Sequence, residues 1–107
     1  MISIIKSLFG IGPKTNFAEL VQQGALILDV RTPAEFMGGN VNDSINIPLQ
    51  EIQQRLDEIK QLKTPLVLCC ASGGRSAMAA QFLSAQGIDC VNGGSWLDVN
   101  YYQSQTL

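Results

Sequence analysis

Leu66-Val67-Leu68-Cys69-Cys70-Ala71-Ser72-Gly73-Gly74-Arg75-Ser76 is the stretch from which the fold is read. An apolar run ends in cysteine, small residues follow, and an alanine-rich helical pattern continues to Gln86. The chain therefore passes from strand to helix at Cys70. The first N–H groups of a helix lack partners within it and point back into such a loop, and the helix dipole favours an anion there. Cysteines in such surroundings ionise at roughly pH 3.5–7.5, against about 8.5 for a free thiol. Cys70 is accordingly the candidate nucleophile, ionised near neutral pH.

Composition narrows the classes of function. The chain has 107 residues, one domain's worth, and 46% of them are hydrophobic against 15% charged, enough for a core. Net charge is −2 with no long basic run, which argues against nucleic acid as a partner. There is no histidine. That removes the commonest general base and metal ligand, and every Cys–His or Ser–His–Asp arrangement. The thiolate at Cys70 must be made by fields and backbone dipoles.

The three cysteines, Cys69, Cys70 and Cys90, have no disulfide-framework or metal-site spacing, so no metal and no cofactor are expected. They read as reduced thiols in a reducing compartment. Met1 to Phe9 is apolar but too short to cross a membrane, and it lacks the parts of a signal peptide. The expectation is a soluble cytoplasmic protein without a membrane partner. Residues 1–14 are expected to be an N-terminal extension, short helix or coil, and residues 15–107 the domain.

In chain order, Thr15 or Asn16 can cap a helix carrying Phe17, Leu20 and Val21, with Gly24 as its stop. Residues 25–30 are a short apolar run of the kind buried on both faces of a parallel sheet. Thr32-Pro33-Ala34-Glu35 is a helix start, with Thr32 as N-cap and Glu35 completing a capping box. Residues 44–48 read as a strand closed by Pro48. Leu49, Ile52, Leu56, Ile59 and Leu62 read as one stripe on a helix. A strand over 66–70 precedes a helix over 75–86, with Met78, Ala79, Phe82 and Leu83 inward and Gly87 as its stop. Residues 88–91 form the last strand, Asn92-Gly93-Gly94 a turn, and Ser95 caps a final helix from Trp96. Strands alternating with helices predict an α/β fold, an open parallel sheet of four or five strands with helices on both faces. Asp29, Cys70 and Gly93 fall at carboxyl ends of strands, where ligands bind in such sheets.

The residues from about Phe17 to Trp96 resemble the single-domain rhodanese (sulfurtransferase) family. Asp29-Val30-Arg31-Thr32-Pro33-Ala34-Glu35-Phe36 is similar to that family's first motif. Gly39 through Pro48 resembles its Gly-His-Ile…Asn-Ile-Pro segment, with Asn40 in place of the histidine and a drift over Val41-Asn42-Asp43-Ser44. Cys70 to Ser76 resembles its active-site loop, and Gly93-Gly94 with Trp96 its closing motif. The resemblance implies a rhodanese-like fold and transfer of sulfane sulfur through a Cys70 persulfide. The donor would be thiosulfate or a protein persulfide, the acceptor cyanide or a thiol, and a sulfur-relay protein is a further candidate partner. Ala71, Ser72, Gly73 and Gly74 offer backbone N–H groups with little bulk, which suits a cradle for a sulfur anion. Gly73 and Gly74 can also take positive φ and aim amides inward.

Arg75 can attract an anionic donor or brace the loop by pairing with Asp29 or Glu35, bracing being preferred. Asp29 can orient the loop or simply pair with Arg31 or Arg75. Ser72 and Ser76 can donate to sulfur, and Ser76 can instead cap the helix. Cys69, one residue before Cys70 on a strand, should face the other way into the core. Cys90 is expected in the core, and Phe36 and Trp96 in packing. Two other readings compete. One is a sulfur-carrier or partner-binding module with little activity on free thiosulfate. The other is a phosphatase, but phosphatase loops space cysteine and arginine one residue further apart than Ala71 to Gly74 do here.

Overall fold

The computed structural model describes residues 12–105, with side chains from Phe17 onward. The expectation for the opening nonapeptide lies outside them. Helix α1 (Gly12–Gln22) begins three residues before the expected cap. Proline in a first helical turn removes an N–H that has no intrahelical partner anyway, so Pro13 does not delay the start. Strand β1 (Leu26–Asp29) follows, then α2 (Pro33–Met37). Thr32 caps α2 as expected: its hydroxyl accepts from Glu35 N–H, and its N–H donates to the Glu35 side chain. Strand β2 is only Ile45–Asn46.

The apolar stripe from Leu49 to Leu62 is not one helix. It folds as a 3₁₀ turn (Leu49–Glu51), a run of turns, and α3 (Leu56–Lys60). Its apolar steps of three, four, three and three are closer to a three-residue turn than to the α-helical period. The stripe still faces inward, with Ile52 and Ile59 buried. Strand β3 (Leu66–Cys70) is buried throughout, and α4 (Gly74–Ala85) follows. The inward stripe of α4 is Ser76, Ala79 and Leu83. Met78 lies off that stripe and is 61% exposed, contrary to expectation.

Strand β4 (Cys90–Ser95) runs through the glycines expected to turn, and α5 (Trp96–Ser104) is capped by Ser95, whose hydroxyl accepts from Leu97 N–H. Its register with β3 passes from Leu68↔Asn92 to Cys69↔Gly94. Gly93 is therefore the extra residue of a β-bulge, which lets the strand bend without ending. A Cβ on Gly93 would lie 2.8 Å from both Val67 Cγ1 and Val99 Cγ2.

All strands pair in parallel in the order β2-β1-β3-β4. Side-chain alternation builds two cores. Leu28, Leu66, Leu68 and Cys70 pack with Ile52, Ile59, Ala79 and Leu83 on one face. Ile27, Val67 and Cys69 pack with Val21 and Val99 on the other. There Phe17 of α1 meets Tyr102 of α5 edge to face at 5.3 Å. The helices thus cover both faces. Among the described residues no helix is long and apolar enough to cross a membrane.

Gly93→Ala is expected to lower stability by about 1–3 kcal/mol through overpacking. Urea denaturation checks it: the midpoint should fall with an unchanged slope.

Candidate active site

Parallel strands bring their carboxyl ends to one rim. There β1 leads through Arg31 into α2, and β3 ends at Cys70, one short loop before α4. The loop turns through Gly73, whose φ of +106° disfavours any side chain. A Cβ there would also sit 3.2 Å from Gly94 Cα, so the loop rests directly on the bulge of β4. Gly74 has no such need: its φ is not positive and the space beside it is open, so only one of the two glycines aims an amide by positive φ.

Cys70 Sγ accepts from Gly73 N–H at 3.0 Å and from Ser76 N–H at 3.4 Å, and Ser76 Oγ lies 3.4 Å away. Burial pushes this thiol up. A Ser76 hydroxyl turned to the sulfur and the N–H groups of Ser76, Gly73 and Ser72 pull the other way, outweigh burial and place it below the ordinary cysteine range. Cys70 is only 1% exposed, so the sulfur lies on the floor of the loop, while Ala71, Ser72 and Gly74 around it are exposed. A reactant must present a narrow atom to reach it. Ser76 is fully buried and does not cap α4; Gly73 takes that position without a side-chain bond.

The two arginines are committed to different carboxylates. Arg31 Nη2 and Nε bind Asp29 at 2.7–3.0 Å, and both residues are buried. Arg31 also donates to Glu35 C=O at 3.2 Å and Gly39 C=O at 2.7 Å, and stacks 4.6 Å from the centre of the Trp96 ring. Arg75 binds Glu35 in a two-pronged pair at 2.8 and 3.0 Å. That pair, with the Thr32 N–H, holds the Glu35 carboxyl down at about 2. Of the alternatives left open by the sequence, Asp29 takes Arg31 and Glu35 takes Arg75.

Cys69 lies in the opposite core and burial pushes its thiol up. Cys90 is half-buried rather than sealed in the core, its Sγ near Ala80 C=O and Ser84 Oγ, and burial pushes it up too. Asn40 is exposed and closes α2 by donating to Phe36 C=O at 2.9 Å. Among the described residues no three His, Cys, Asp or Glu side chains come together to hold a metal.

Two asparagines at the rim were not singled out from the sequence. Asn46 Nδ2 ties β2 to the C=O groups of Asp29 and Arg31 at 3.0 and 2.9 Å. Asn92 joins the bulge to the loop, with Nδ2 on Gly73 C=O at 3.2 Å and Oδ1 on Gly94 N–H at 3.0 Å. In the sequence Asn92 stands out only as a polar residue directly before paired glycines, which reads as a turn.

Two measurements check this geometry. Thiolate ultraviolet absorbance, taken as the difference from Cys70→Ser, should appear as pH rises through a midpoint below the free-thiol value of about 8.5. Because the folded-state value is the lower one, ionised Cys70 stabilises the fold above the unfolded value, and this is lost as pH falls through the folded one. Asp29→Ala leaves Arg31 buried without its counter-charge and should cost about 3–5 kcal/mol in urea denaturation.

A model of the family described as "Rhodanese-like domain" matches residues 14–97. The chain is 44% identical over 63 residues to the uncharacterized protein YqhL of Bacillus subtilis, covering 59% of this chain and 49% of that protein. It is 33% identical over 98 residues to the thiosulfate sulfurtransferase GlpE of Pseudomonas syringae pv. syringae, covering 89% of this chain and 92% of that one. The chain thus spans about half of the first relative and most of the second. A rhodanese-related protein from Thermoplasma volcanium superposes with a TM-score of 0.68 at 32% identity, covering 79% of this chain and 86% of that chain. With sheet order, loop and paired arginines in place, the chain belongs to the rhodanese-like domain family.

Proposed function

We propose that this chain is a sulfurtransferase that carries sulfane sulfur on Cys70. The observation that carries the reading is the set of N–H groups converging on Cys70 Sγ. In the first half-reaction the thiolate attacks the outer sulfur of the donor. A new S–S bond forms, the donor's own bond to that sulfur breaks, and the leaving group departs with the electron pair, as sulfite when the donor is thiosulfate. In the second, cyanide or a thiolate attacks the outer sulfur of the persulfide, the bond to Sγ breaks, and the thiolate is restored. No proton has to move between protein groups in either half, so the lack of histidine is no obstacle.

The loop residues have separable roles in this scheme. Ala71, Ser72, Gly73 and Gly74 keep the entrance narrow and supply amides. Ser76 lines the sulfur. Arg75 braces the loop through Glu35, and Asp29 with Arg31 holds the base of the rim. Three unpaired cysteines suit a reducing, cytoplasmic setting.

One observation favours the sulfur-carrier variant. Arg75 and Arg31, the cations of this rim among the described residues, each face a carboxylate. A small dianion such as thiosulfate gains little long-range attraction from such a mouth. A donor delivered by a protein does not need that attraction. The same pairing counts against the phosphatase reading, since Arg75 turns to Glu35 and is not free to hold a phosphate.

Intact mass after thiosulfate treatment tests the proposal. The expected result is a gain of one sulfur atom, absent in Cys70→Ser and removed by cyanide. No gain with thiosulfate but a gain with a thiol persulfide selects the carrier variant. No gain with either overturns sulfur transfer.

A further inference from the structure

The side-chain amide of Asn92 has one possible orientation. Gly94 N–H, 3.0 Å from one amide atom, can only donate, so that atom is Oδ1. Gly73 C=O, 3.2 Å from the other, can only accept, so that one is Nδ2. Ser76 Oγ lies 2.7 Å from Oδ1, and an oxygen with no proton can only accept. Ser76 must therefore be the donor in that contact.

A hydroxyl has a single proton. Ser76 Oγ has three neighbours that can take it: Asn92 Oδ1 at 2.7 Å, Gly73 C=O at 3.2 Å and Cys70 Sγ at 3.4 Å. The shortest contact is with Asn92. While the proton lies there, the hydroxyl shows Cys70 Sγ a lone pair. That face suits a thiol, which can donate its S–H, and is unfavourable for a thiolate.

We propose that Asn92 is a positioning residue: it holds the Ser76 hydroxyl proton away from Cys70 Sγ and leaves the sulfur anion to the backbone N–H groups. The proposal rests on the reading of Cys70 as the nucleophile, and it gives that nucleophile a tuning device. A thiolate's intrinsic reactivity falls as its basicity falls. Withholding one donor from an already well-supplied sulfur keeps it ionised yet reactive.

Difference titration of thiolate absorbance tests this in Ser76→Ala, Asn92→Ala and the double variant, each against its own Cys70→Ser partner. Ser76→Ala should leave the midpoint unchanged or slightly lower, since it removes an acceptor facing the thiol. Asn92→Ala frees the hydroxyl to turn to sulfur and should lower the midpoint by about half to one pH unit. In the double variant that drop should vanish, because no hydroxyl remains. A rise in Ser76→Ala overturns the proposal, as does an unshifted or raised midpoint in Asn92→Ala, or a drop that survives in the double variant. If Asn92→Ala does not fold, Ser76→Ala decides alone, since it leaves the amide's bonds to Gly73 and Gly94 intact. A wild-type midpoint at or above that of free cysteine instead counts against Cys70 as the nucleophile, a separate failure.

Discussion

Arg31 is a charge almost out of water, and the rim is built by what it requires. A buried guanidinium is tolerable only when its donors are met. Asp29 meets it from the end of β1, and the C=O groups of Glu35, within α2, and Gly39, just after it, meet it from the next stretch of chain. The Trp96 ring covers one face from the start of α5. Three separate pieces of chain are thereby tied to one side chain. The consequence passes outward, because α2 placed in this way presents Glu35 to Arg75, and Arg75 is the second residue of α4. The loop that holds Cys70 is anchored at its far end through this series.

Both cations of the rim are neutralised by carboxylates, so the sulfur depends on dipoles. Amides aimed at one atom in a dry place act strongly because no water screens them. The support is local and does not reach across the sheet. Burial dominates at Cys69, one residue away, and drives its thiol in the opposite direction. Two adjacent residues of the same type differ in chemistry because only one faces the helix start.

Much of this was legible from residue types. The capping box at Thr32 and Glu35, the strand from Leu66 to Cys70 and the opposed directions of Cys69 and Cys70 are local properties, carried by spacing alone. What escaped depends on distant partners. The Leu49 to Leu62 stripe shows which side chains face inward, but its period drifts toward a tighter turn, and burial of Ile52 and Ile59 does not need a continuous helix. Asn92-Gly93-Gly94 has the composition of a turn. It stays in the sheet because β3 offers it a ladder and because Gly93 alone fits between Val67 and Val99. Asn92 could be seen as a rim residue only once that bulge had turned its amide onto the loop.

The alternation of β3 has an outcome for the sulfur economy of the whole molecule. The sheet stands as a partition between neighbouring sulfur atoms, one in each core. If Cys70 carries sulfur as proposed, Cys69 on the other side of the sheet is out of reach to unload it as a resolving thiol sharing the pocket would. Under the proposed transfer, each visitor that leaves sulfur behind would have to be followed by a second that collects it, and the interval between the two would be governed by encounter with another molecule.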